Sequence, residues 1–169
     1  MVNRILTLKD LNFSNTSSLE HGHGLPVVFL RLDLNVPIKN NVILDDTRIK
    51  ASLKTIQWLL ERNVKIIACS HLGRPKGEGF EQEFSLAPVG VRLAECLDID
   101  VLLCPDYLED GFAKIVQNLK LGQMILLENL RFHKGEQSGD ASFAQALAKN
   151  ASYYVNDAFG TCHRADASI

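Results

Sequence analysis

Short, continuous runs of apolar residues alternate along the chain with longer segments in which apolar residues recur every three or four positions. The first run covers residues 27–32, and the segment over 47–62 follows it with one apolar helical face. That face consists of Ile49, Leu53, Ile56 and Leu60. Unbroken apolar runs are typical of strands that are buried on both faces of a parallel sheet. The alternation of the two kinds of segment therefore predicts an α/β fold.

The same pattern continues to the end of the chain and predicts five strands and four helices. The strands are predicted over 27–32, 65–70, 101–104, 123–128 and 152–157. The helices are predicted over 47–62, 85–97, 109–119 and 140–150. Ser85 is the predicted N-cap of the second helix. We expect a three-layer αβα sandwich with a mainly parallel sheet and right-handed crossovers.

The two ends of the chain differ from its regular middle. Residues 1–26 form a polar N-terminal segment, and its part over 11–24 is rich in Ser, Asn, His and Gly, which predicts a surface loop. We interpret His21 and His23 as loop histidines and not as metal ligands. At the other end, Asp166 and Ser168 are possible N-caps of a further helix. We therefore expect the α/β domain over 27–169 to be incomplete at its C-terminal end.

Composition and charge exclude several classes of protein. Hydrophobic residues make up 46% of the 169 residues and charged residues 22%, values that exclude a disordered chain. The formal net charge of −2 argues against nucleic acid as a partner, because nucleic-acid binders carry a basic excess. No apolar run approaches the roughly 18 residues of a membrane span. Four cysteines without a C-x-x-C pair fit a reducing compartment, so we expect a cytoplasmic protein.

Polar and basic residues follow the predicted strands at the points where those strands end. In open α/β sheets, ligands bind outside the carboxyl ends of the strands. The residues at these ends are Asp33 and Asn35 after the first strand, His71, Gly73 and Arg74 after the second, Arg131 and His133 after the fourth, and Asn156, Asp157, His163 and Arg164 after the fifth. Arg48 lies in the first turn of the first helix, on the same side of the sheet.

Four arginines thus share one predicted edge, namely Arg48, Arg74, Arg131 and Arg164. They would repel one another unless an anion binds between them, and the planar guanidinium group suits phosphate and carboxylate oxygens. Pairing with surface carboxylates is the alternative for any single arginine, whereas the group of four favours a pocket for a small polyanion. We expect the Arg131 side chain to be exposed there. Asp33 and Asn35 would either hold a hydroxyl group or cap a strand end.

Several ligand-binding motifs are missing from the sequence. It contains neither a G-x-x-x-x-G-K-[ST] loop nor a G-x-G-x-x-G run after a strand, so we expect no nucleotide site in this chain. Cys69-x-His71 and Cys162-His163 do not have the spacing of zinc ligands, and we predict no metal site. We interpret Cys69 as a residue of the core.

Five segments resemble the N-terminal domain of phosphoglycerate kinase, in the same order as in that family. The segments are RLDLNVP (31–37), DTRIK (46–50), SHLGRP (70–75), LLENLRFH (126–133) and YVNDAFGTCHRA (154–165). The resemblance extends from about residue 27 to residue 169, and each segment falls at a predicted strand end or helix start. It departs from the family's pattern at 24–26, where Gly-Leu-Pro replaces the usual Gly-Lys-Arg, and at Asp166, where many members have His or Gln. The added charge beside Arg164 should weaken anion binding slightly.

The resemblance implies reversible phosphoryl transfer between 1,3-bisphosphoglycerate with ADP and 3-phosphoglycerate with ATP, in glycolysis or carbon fixation. In this family the N-terminal domain binds the phosphoglycerate, and a C-terminal domain binds Mg-ATP or Mg-ADP. The resemblance therefore implies that this chain is the substrate-binding half, that the nucleotide domain is missing, and that no cofactor is bound to the chain. It implies a monomer for the intact enzyme, and we expect the fragment alone to be inactive.

The resemblance also implies roles for individual residues. Asp33 and Asn35 would hold the hydroxyl and carboxylate end of the substrate. Arg48 would lie closest to the transferred phosphoryl group and would be the catalytic residue. The basic patch for the phosphate that is not transferred would consist of His71, Arg74, Arg131 and Arg164.

Two other functions are open at this point. The first is a standalone small-anion-binding module without transfer activity. The second is a phosphatase or mutase, which would need a nucleophile beside the basic residues. Asp33 is the only candidate, and its neighbours do not form the D-x-D pair that such chemistry favours.

Overall fold

The computed structural model of the chain describes residues 6–13 and 25–169. Within these ranges the strands are β1 (Val27–Leu32), β2 (Ile38–Lys39), β3 (Val42–Ile43), β4 (Lys65–Cys69), β5 (Asp100–Cys104), β6 (Gln123–Leu127) and β7 (Tyr153–Asp157). The α-helices are α1 (Thr47–Leu60), α2 (Ala87–Leu97), α3 (Phe112–Asn118), α4 (Lys134–Ser138) and α5 (Ala141–Ala148). None of these helices combines the length and the apolar character that a bilayer crossing needs.

Five of the strands form one parallel sheet in the order β5-β6-β4-β1-β7. The register aligns Arg31 of β1 with Cys69 of β4 on one side and with Asn156 of β7 on the other. Because all five strands run in the same direction, their carboxyl ends lie along one edge of the sheet. We call the residues at this edge the carboxyl rim. They follow β1, β4, β6 and β7 and are 33–35, 70–74, 128–133 and 158–166, together with Arg48 in the first turn of α1.

Helices cover both faces of the sheet, which explains why the strands consist of unbroken apolar runs. Val28, Leu30 and Leu32 point to the face where buried residues of α1 and α2 pack. Phe29 points to the opposite face, where it packs with buried residues of α3 and α5. Full burial of such a side chain contributes about 1.5–3 kcal/mol, so neither face could be left open to water. The predicted three-layer αβα sandwich with a parallel sheet is confirmed.

Capping side chains fix several helix starts close to the predicted positions. The Asp140 carboxylate accepts a hydrogen bond from the backbone nitrogen of Phe143 at 2.8 Å and caps α5. Ser85 also accepts a hydrogen bond from the backbone nitrogen of Ala87, at 3.1 Å. Its prediction as the N-cap of α2 is wrong, however, because α2 begins at Ala87 and its N-cap is Leu86. The predicted third helix over 109–119 is shorter, because turns precede it and α3 starts only at Phe112.

Two elements were not predicted, namely the hairpin of β2 with β3 and the short helix α4. Asn40 and Asn41 form the tip of the hairpin with φ values of 50° and 61°, the left-handed conformation of a tight two-residue hairpin turn. Helix α4 ends at Gly139, whose φ is 63°, and a Cβ there would collide with the carbonyl oxygen of Ala165. Glycine is therefore required at this helix end.

Part of the predicted N-terminal loop packs on the domain. The Phe13 ring lies 6.4 Å from the Trp58 ring and 5.0 Å from the Tyr153 ring, measured between centroids. The Tyr153 hydroxyl donates a hydrogen bond to the carbonyl oxygen of Asn12 at 3.0 Å. The remainder of the predicted loop, with His21 and His23, lies outside the described residues.

Candidate functional site

The first pair of rim residues is an ion pair between Arg48 and Asp33. Arg48 enters from the first turn of α1, and its Nη1 atom contacts the Asp33 carboxylate that follows β1. The Arg48 side chain is 52% exposed and that of Asp33 is 22% exposed. Arg48 is therefore held by one nitrogen, while about half of its side chain stays open to solvent.

Asn35 joins the end of β1 to the loop after β4. Its Oδ1 atom accepts a hydrogen bond from the backbone nitrogen of Gly73 at 2.9 Å. Gly73 has a φ of 61°, and a Cβ there would collide with the Phe84 ring, so the loop requires glycine. Because Oδ1 is used in this way, the side-chain nitrogen of Asn35 is the end that can donate to a ligand. Asn35 thus has a structural role in addition to its predicted one.

His71 is buried beneath the rim, next to Arg31. Its Nδ1 atom lies 3.1 Å from Nη2 of Arg31, and since arginine only donates, Nδ1 must be the acceptor. The neutral ring then carries its proton on Nε2. Burial, together with the positive charges of Arg131, Arg31 and Arg164, lowers the pKa of His71 to about 3. At neutral pH His71 adds a hydrogen-bond donor to the basic patch and no charge.

The structure contradicts the expectation that the Arg131 side chain is exposed, because only 7% of it is accessible. A short 3₁₀ turn, Leu130–Phe132, draws the side chain back beneath the loop after β4. There its Nη1 atom donates to the carbonyl oxygen of Gly73 at 2.8 Å, and Nη2 lies 3.7 Å from Oδ2 of Asp166. Burial lowers the pKa of Arg131, and the positive charge of Arg164 lowers it further. Arg131 is therefore structural as well as basic.

The two remaining arginines of the predicted patch are more accessible. Arg164 follows β7, is half-buried, and lies close enough for its charge to act on both His71 and Arg131. Arg74 is exposed, and among the described residues its side chain has no hydrogen bond or ion pair. The rim thus brings Arg164, Arg131 and His71 together, with Arg74 reaching from the loop after β4.

Other predicted rim residues are turned away or have structural roles. His133 lies against Tyr107 and Phe143, with ring centroids 5.5 Å and 5.4 Å away, and burial lowers its pKa. The Asn156 side chain accepts a hydrogen bond from the backbone nitrogen of Ala158 at 2.9 Å. Cys69 is fully buried as predicted, and burial raises the pKa of its thiol to about 12. The Cys69 thiol is thus closed to a ligand, whereas His133 and Asn156 are half-buried and make contacts within the protein.

A buried ion pair lies under the rim and was not predicted. Nη2 of Arg31 lies 3.9 Å from Oε1 of Glu136, and both side chains are completely buried. Ser168 supplies the hydrogen bonds of this carboxylate, from its Oγ atom at 2.5 Å and from its backbone nitrogen at 3.1 Å. Burial raises the pKa of Glu136, while Ser168 and Arg31 oppose that rise. The only sequence signal was a lone arginine inside the first apolar run.

Two further buried polar residues at the rim, Glu128 and Asn129, connect the rim loops. Glu128 accepts hydrogen bonds from the Ser85 hydroxyl and from the backbone nitrogen of Leu86, both at 2.7 Å. Asn129 donates to the carbonyl oxygen of Leu72 at 2.8 Å and accepts from the backbone nitrogen of Leu72 at 3.2 Å. These contacts fix the loop after β4 and the start of α2 relative to β6.

Two cavities of the described residues lie away from the basic residues of the rim. A cavity of about 920 Å³ lies between the β2–β3 hairpin and α2, and an apolar one of about 340 Å³ lies beside β7. Neither is lined by His71, Arg131 or Arg164. An anion in solvent could reach Arg74, which is exposed, and Arg164, which is half-buried.

The described residues contain no cluster of side chains that could hold a metal ion. Over 6–13 and 25–169, no three His, Cys, Asp or Glu side chains lie close enough together to hold a metal ion. The rim carboxylates of Asp33 and Asp166 already lie against arginines. With four arginines and the Nε2 hydrogen of His71, the rim is suited to a small anion.

Comparison with known proteins gives one consistent family. Residues 25–169 match the family described as "Phosphoglycerate kinase". A phosphoglycerate kinase of Rippkaea orientalis is 52% identical over 141 residues, which are 83% of this chain and 35% of the relative. One of Borrelia hermsii is 44% identical over 164 residues, which are 97% of this chain and 39% of the relative.

Solved structures are similar over the same region. The "Structure of phosphoglycerate kinase from Coxiella burnetii" has a TM-score of 0.81 and 39% sequence identity, and the match covers 98% of this chain and 38% of that one. The chain thus spans between a third and two fifths of the length of the relatives and of the solved chain that it matches.

Proposed function

Because this chain belongs to the phosphoglycerate kinase family, we propose that it is the half of such an enzyme that binds 3-phosphoglycerate or 1,3-bisphosphoglycerate. The whole protein would transfer a phosphoryl group reversibly between 1,3-bisphosphoglycerate with ADP and 3-phosphoglycerate with ATP, in glycolysis. The observation that carries the proposal is the convergence of Arg131, Arg164 and His71 at one rim. The Arg48–Asp33 pair lies at the same rim.

The phosphate that is not transferred would bind at the basic side of the rim. Arg164 and Arg74 supply accessible guanidinium groups, and Arg131 adds its charge from below. His71 would donate a hydrogen bond from Nε2 without adding a charge, because its pKa is near 3. Guanidinium–phosphate hydrogen bonds are charge-assisted and among the stronger ones in proteins. This group would therefore provide most of the binding energy.

The acid end of the substrate would lie at Asp33 and Asn35. The Asn35 side-chain nitrogen would donate to the substrate, since its oxygen accepts a hydrogen bond from the backbone nitrogen of Gly73. Asp33 can accept a hydrogen bond from the substrate hydroxyl while it holds Arg48. The substrate carboxylate is ionised at neutral pH, so it needs no general base before it acts as a nucleophile.

Arg48 would serve the reaction and not the binding of the resting acid. Phosphoryl transfer depends mainly on positioning and on stabilisation of the charge at the transferred group. The Arg48 guanidinium group is tethered by Asp33 and is otherwise about half exposed, which suits a group that meets its partner only when the site closes. Interactions of this kind raise turnover more than they raise affinity.

The nucleotide and its magnesium ion would be held by another part of the whole protein. The described residues of this chain offer no metal cluster, and the sequence has no glycine-rich phosphate loop after a strand. We further propose that the whole protein acts in the cytoplasm as a monomer, and that this chain alone binds substrate without turning it over.

Titration calorimetry at low salt tests the proposal with 3-phosphoglycerate and Mg-ATP as separate titrants. We expect weak but measurable binding of 3-phosphoglycerate and none of Mg-ATP. Tighter binding of Mg-ATP would contradict the proposal. The matched variant is Arg164→Ala, which removes a charge-assisted contact of about 1.5–3 kcal/mol and should weaken 3-phosphoglycerate binding by about tenfold or more. Equal binding of sulfate and 3-phosphoglycerate would favour a general anion-binding module instead.

A further inference from the structure

Asp166 places a carboxylate against the arginines of the rim. Its Oδ2 atom lies 3.7 Å from Nη2 of Arg131, and the two side chains are 8% and 7% exposed. The distance is short enough for a charge interaction and too long for a hydrogen bond. Nε of Arg131 and Oδ2 of Asp166 are both buried, and neither has a hydrogen-bond partner. Arg131 and Asp166 thus form a close, buried ion pair without a hydrogen bond between them.

The backbone around Asp166 is fixed, so the carboxylate does not reach the arginines by chance. The nitrogen of Ala167 donates to the carbonyl oxygen of Glu136 at 2.8 Å, and the Ser168 side chain and nitrogen bind the Glu136 carboxylate. The Tyr154 hydroxyl donates to the carbonyl oxygen of Ser168 at 2.8 Å. Residues on both α4 and β7 therefore hold this segment in place.

Asp166 also offsets the repulsion among the rim arginines. The charge of Arg164 destabilises the charged form of Arg131, and the charge of Asp166 acts in the opposite direction. His71 is neutral at neutral pH. When no anion is bound, the Asp166 carboxylate therefore supplies the negative charge that faces Arg131. Because the Asp166 oxygen makes no hydrogen bond to Arg131, a phosphate oxygen could replace it with better geometry.

We propose that Asp166 is an internal counter-ion that competes with the phosphate group of the ligand for Arg131 and thereby sets a weaker affinity of the rim for anions. The inference rests on the proposed function, since it concerns the same site. It has two linked consequences. Asp166 stabilises the empty site, and it lowers the affinity of the occupied one by repulsion between two negative groups in a poorly solvated place.

The test compares the unmodified chain with Asp166→Asn, which keeps the shape of the side chain and removes its charge. The control is Glu61→Gln, which makes the same change of charge just after α1, at the opposite edge of the sheet. Calorimetry is run with 3-phosphoglycerate and, separately, with inorganic phosphate. We expect Asp166→Asn to tighten the binding of both anions by about tenfold, the order of effect of one nearby charge near a protein surface. We expect Glu61→Gln to change the affinity for either anion less than twofold.

Thermal melting provides a second readout that separates a counter-ion from a merely structural residue. Without anion, Asp166→Asn should melt at a lower temperature than the unmodified chain, because the arginines lose their compensating charge. Phosphate should then raise the melting temperature of Asp166→Asn more than that of the unmodified chain. If Asp166→Asn does not fold, Asp166→Ser provides the same comparison.

The possible outcomes separate this inference from the proposed function. If 3-phosphoglycerate binds and Asp166→Asn leaves its affinity unchanged or weakens it, the counter-ion role is overturned and the proposed function stands. If only inorganic phosphate binds, and Asp166→Asn tightens it, the counter-ion role stands and the proposed function fails. If neither anion binds to any variant, both are overturned.

Discussion

At the scale of single residues, the rim arginines differ mainly in how deeply the fold buries them. Arg131 is almost completely covered and bound to the carbonyl oxygen of Gly73, whereas Arg74 is exposed and has no side-chain partner among the described residues. The two would contribute the same charge to an anion site. They differ in what their removal does to the protein without ligand.

We predict that Arg131→Ala lowers the free energy of unfolding by about 1–3 kcal/mol, because it leaves the Gly73 carbonyl group and the Asp166 carboxylate without their partner. Arg74→Ala should leave that free energy nearly unchanged. Urea unfolding of the two variants measures the difference. Equal stability of both variants would mean that the buried contacts of Arg131 do not stabilise the fold.

His71 should make the stability of the chain depend on pH. Its pKa falls from the ordinary 6.5 to about 3 in the folded chain, so between these values the unfolded chain binds a proton that the folded chain does not. The contribution of His71 to the free energy of unfolding is therefore fully present above about pH 6.5 and is lost as the pH is lowered. From pH 7 to pH 5 the loss should be about 2 kcal/mol.

The variant His71→Asn isolates this effect, because it keeps a polar group and removes the titration. We predict that its free energy of unfolding falls less than that of the unmodified chain between pH 7 and pH 5, by about the same 2 kcal/mol. Parallel pH profiles for the two chains would show that folding does not lower the pKa of His71.

The sequence predicted the position of these residues better than it predicted their burial and contacts. The expected edge followed from the parallel sheet, because every strand end had to lie there. The roles assigned to Asp33, Asn35 and the arginines remain predictions. Burial of Arg131 could not be foreseen, since it depends on a three-residue turn and on the loop from another strand. The Arg31–Glu136 pair joins residues about a hundred positions apart, and no local pattern marks it.

At the scale of secondary-structure elements, α2 depends on a residue from another element. Glu128, just after β6, accepts hydrogen bonds from the Leu86 nitrogen and the Ser85 hydroxyl at the start of the helix. Its carboxylate is only 4% accessible and satisfies groups that no side chain of α2 itself reaches. A negative group at this position also suits the positive end of the helix dipole.

We predict that Glu128→Ala destabilises the chain by about 2–4 kcal/mol, because buried donors at the start of α2 lose a charged acceptor. Ser85→Ala should cost less, about 1 kcal/mol, since it removes one of the contacts. Glu109→Ala changes an exposed glutamate in a turn and is the control. Thermal and urea unfolding of the three variants provide the comparison. A loss for Glu128→Ala no larger than the control's would contradict the capping role.

The elements that sequence predicted are those with a strong periodic signal. All five strands of the parallel sheet and the helices α1, α2 and α5 lie within a few residues of their predicted bounds. The hairpin was missed although Asn40 and Asn41 favour a tight turn, because two-residue strands are too short for a period. Helix α4 has five residues and encloses the fully buried Glu136, so its sequence shows no apolar face.

At the scale of the whole molecule, the parallel sheet gathers separate loops at one edge. The four loops of the carboxyl rim come from parts of the chain that span about 130 positions. The sheet brings them together although no single sequence motif contains them. Since the chain spans only part of the length of its relatives, the rim would be one wall of a larger site in the whole protein.

We predict that binding and catalysis separate between Arg48 and Arg164. The ligand 3-phosphoglycerate lacks the transferred phosphoryl group, so Arg48→Ala should change its affinity for this chain less than twofold, whereas Arg164→Ala should weaken it by about tenfold or more. In the full-length protein, Arg48→Ala should lower kcat by on the order of 10³, with a much smaller change in KM. Unchanged turnover of that variant would contradict the role proposed for Arg48.

The central claim is that the carboxyl rim binds 3-phosphoglycerate, and mapping the ligand onto the backbone tests it most directly. Amide proton–nitrogen correlation spectra of the chain are recorded while 3-phosphoglycerate is added at low salt. We predict that the signals that shift belong to Asn35, Gly73, Arg131 and the loop over 157–164, while Glu61 and Gly122 at the opposite edge stay unchanged. Shifts confined to the apolar cavity beside β7, with the rim signals unchanged, would contradict the account.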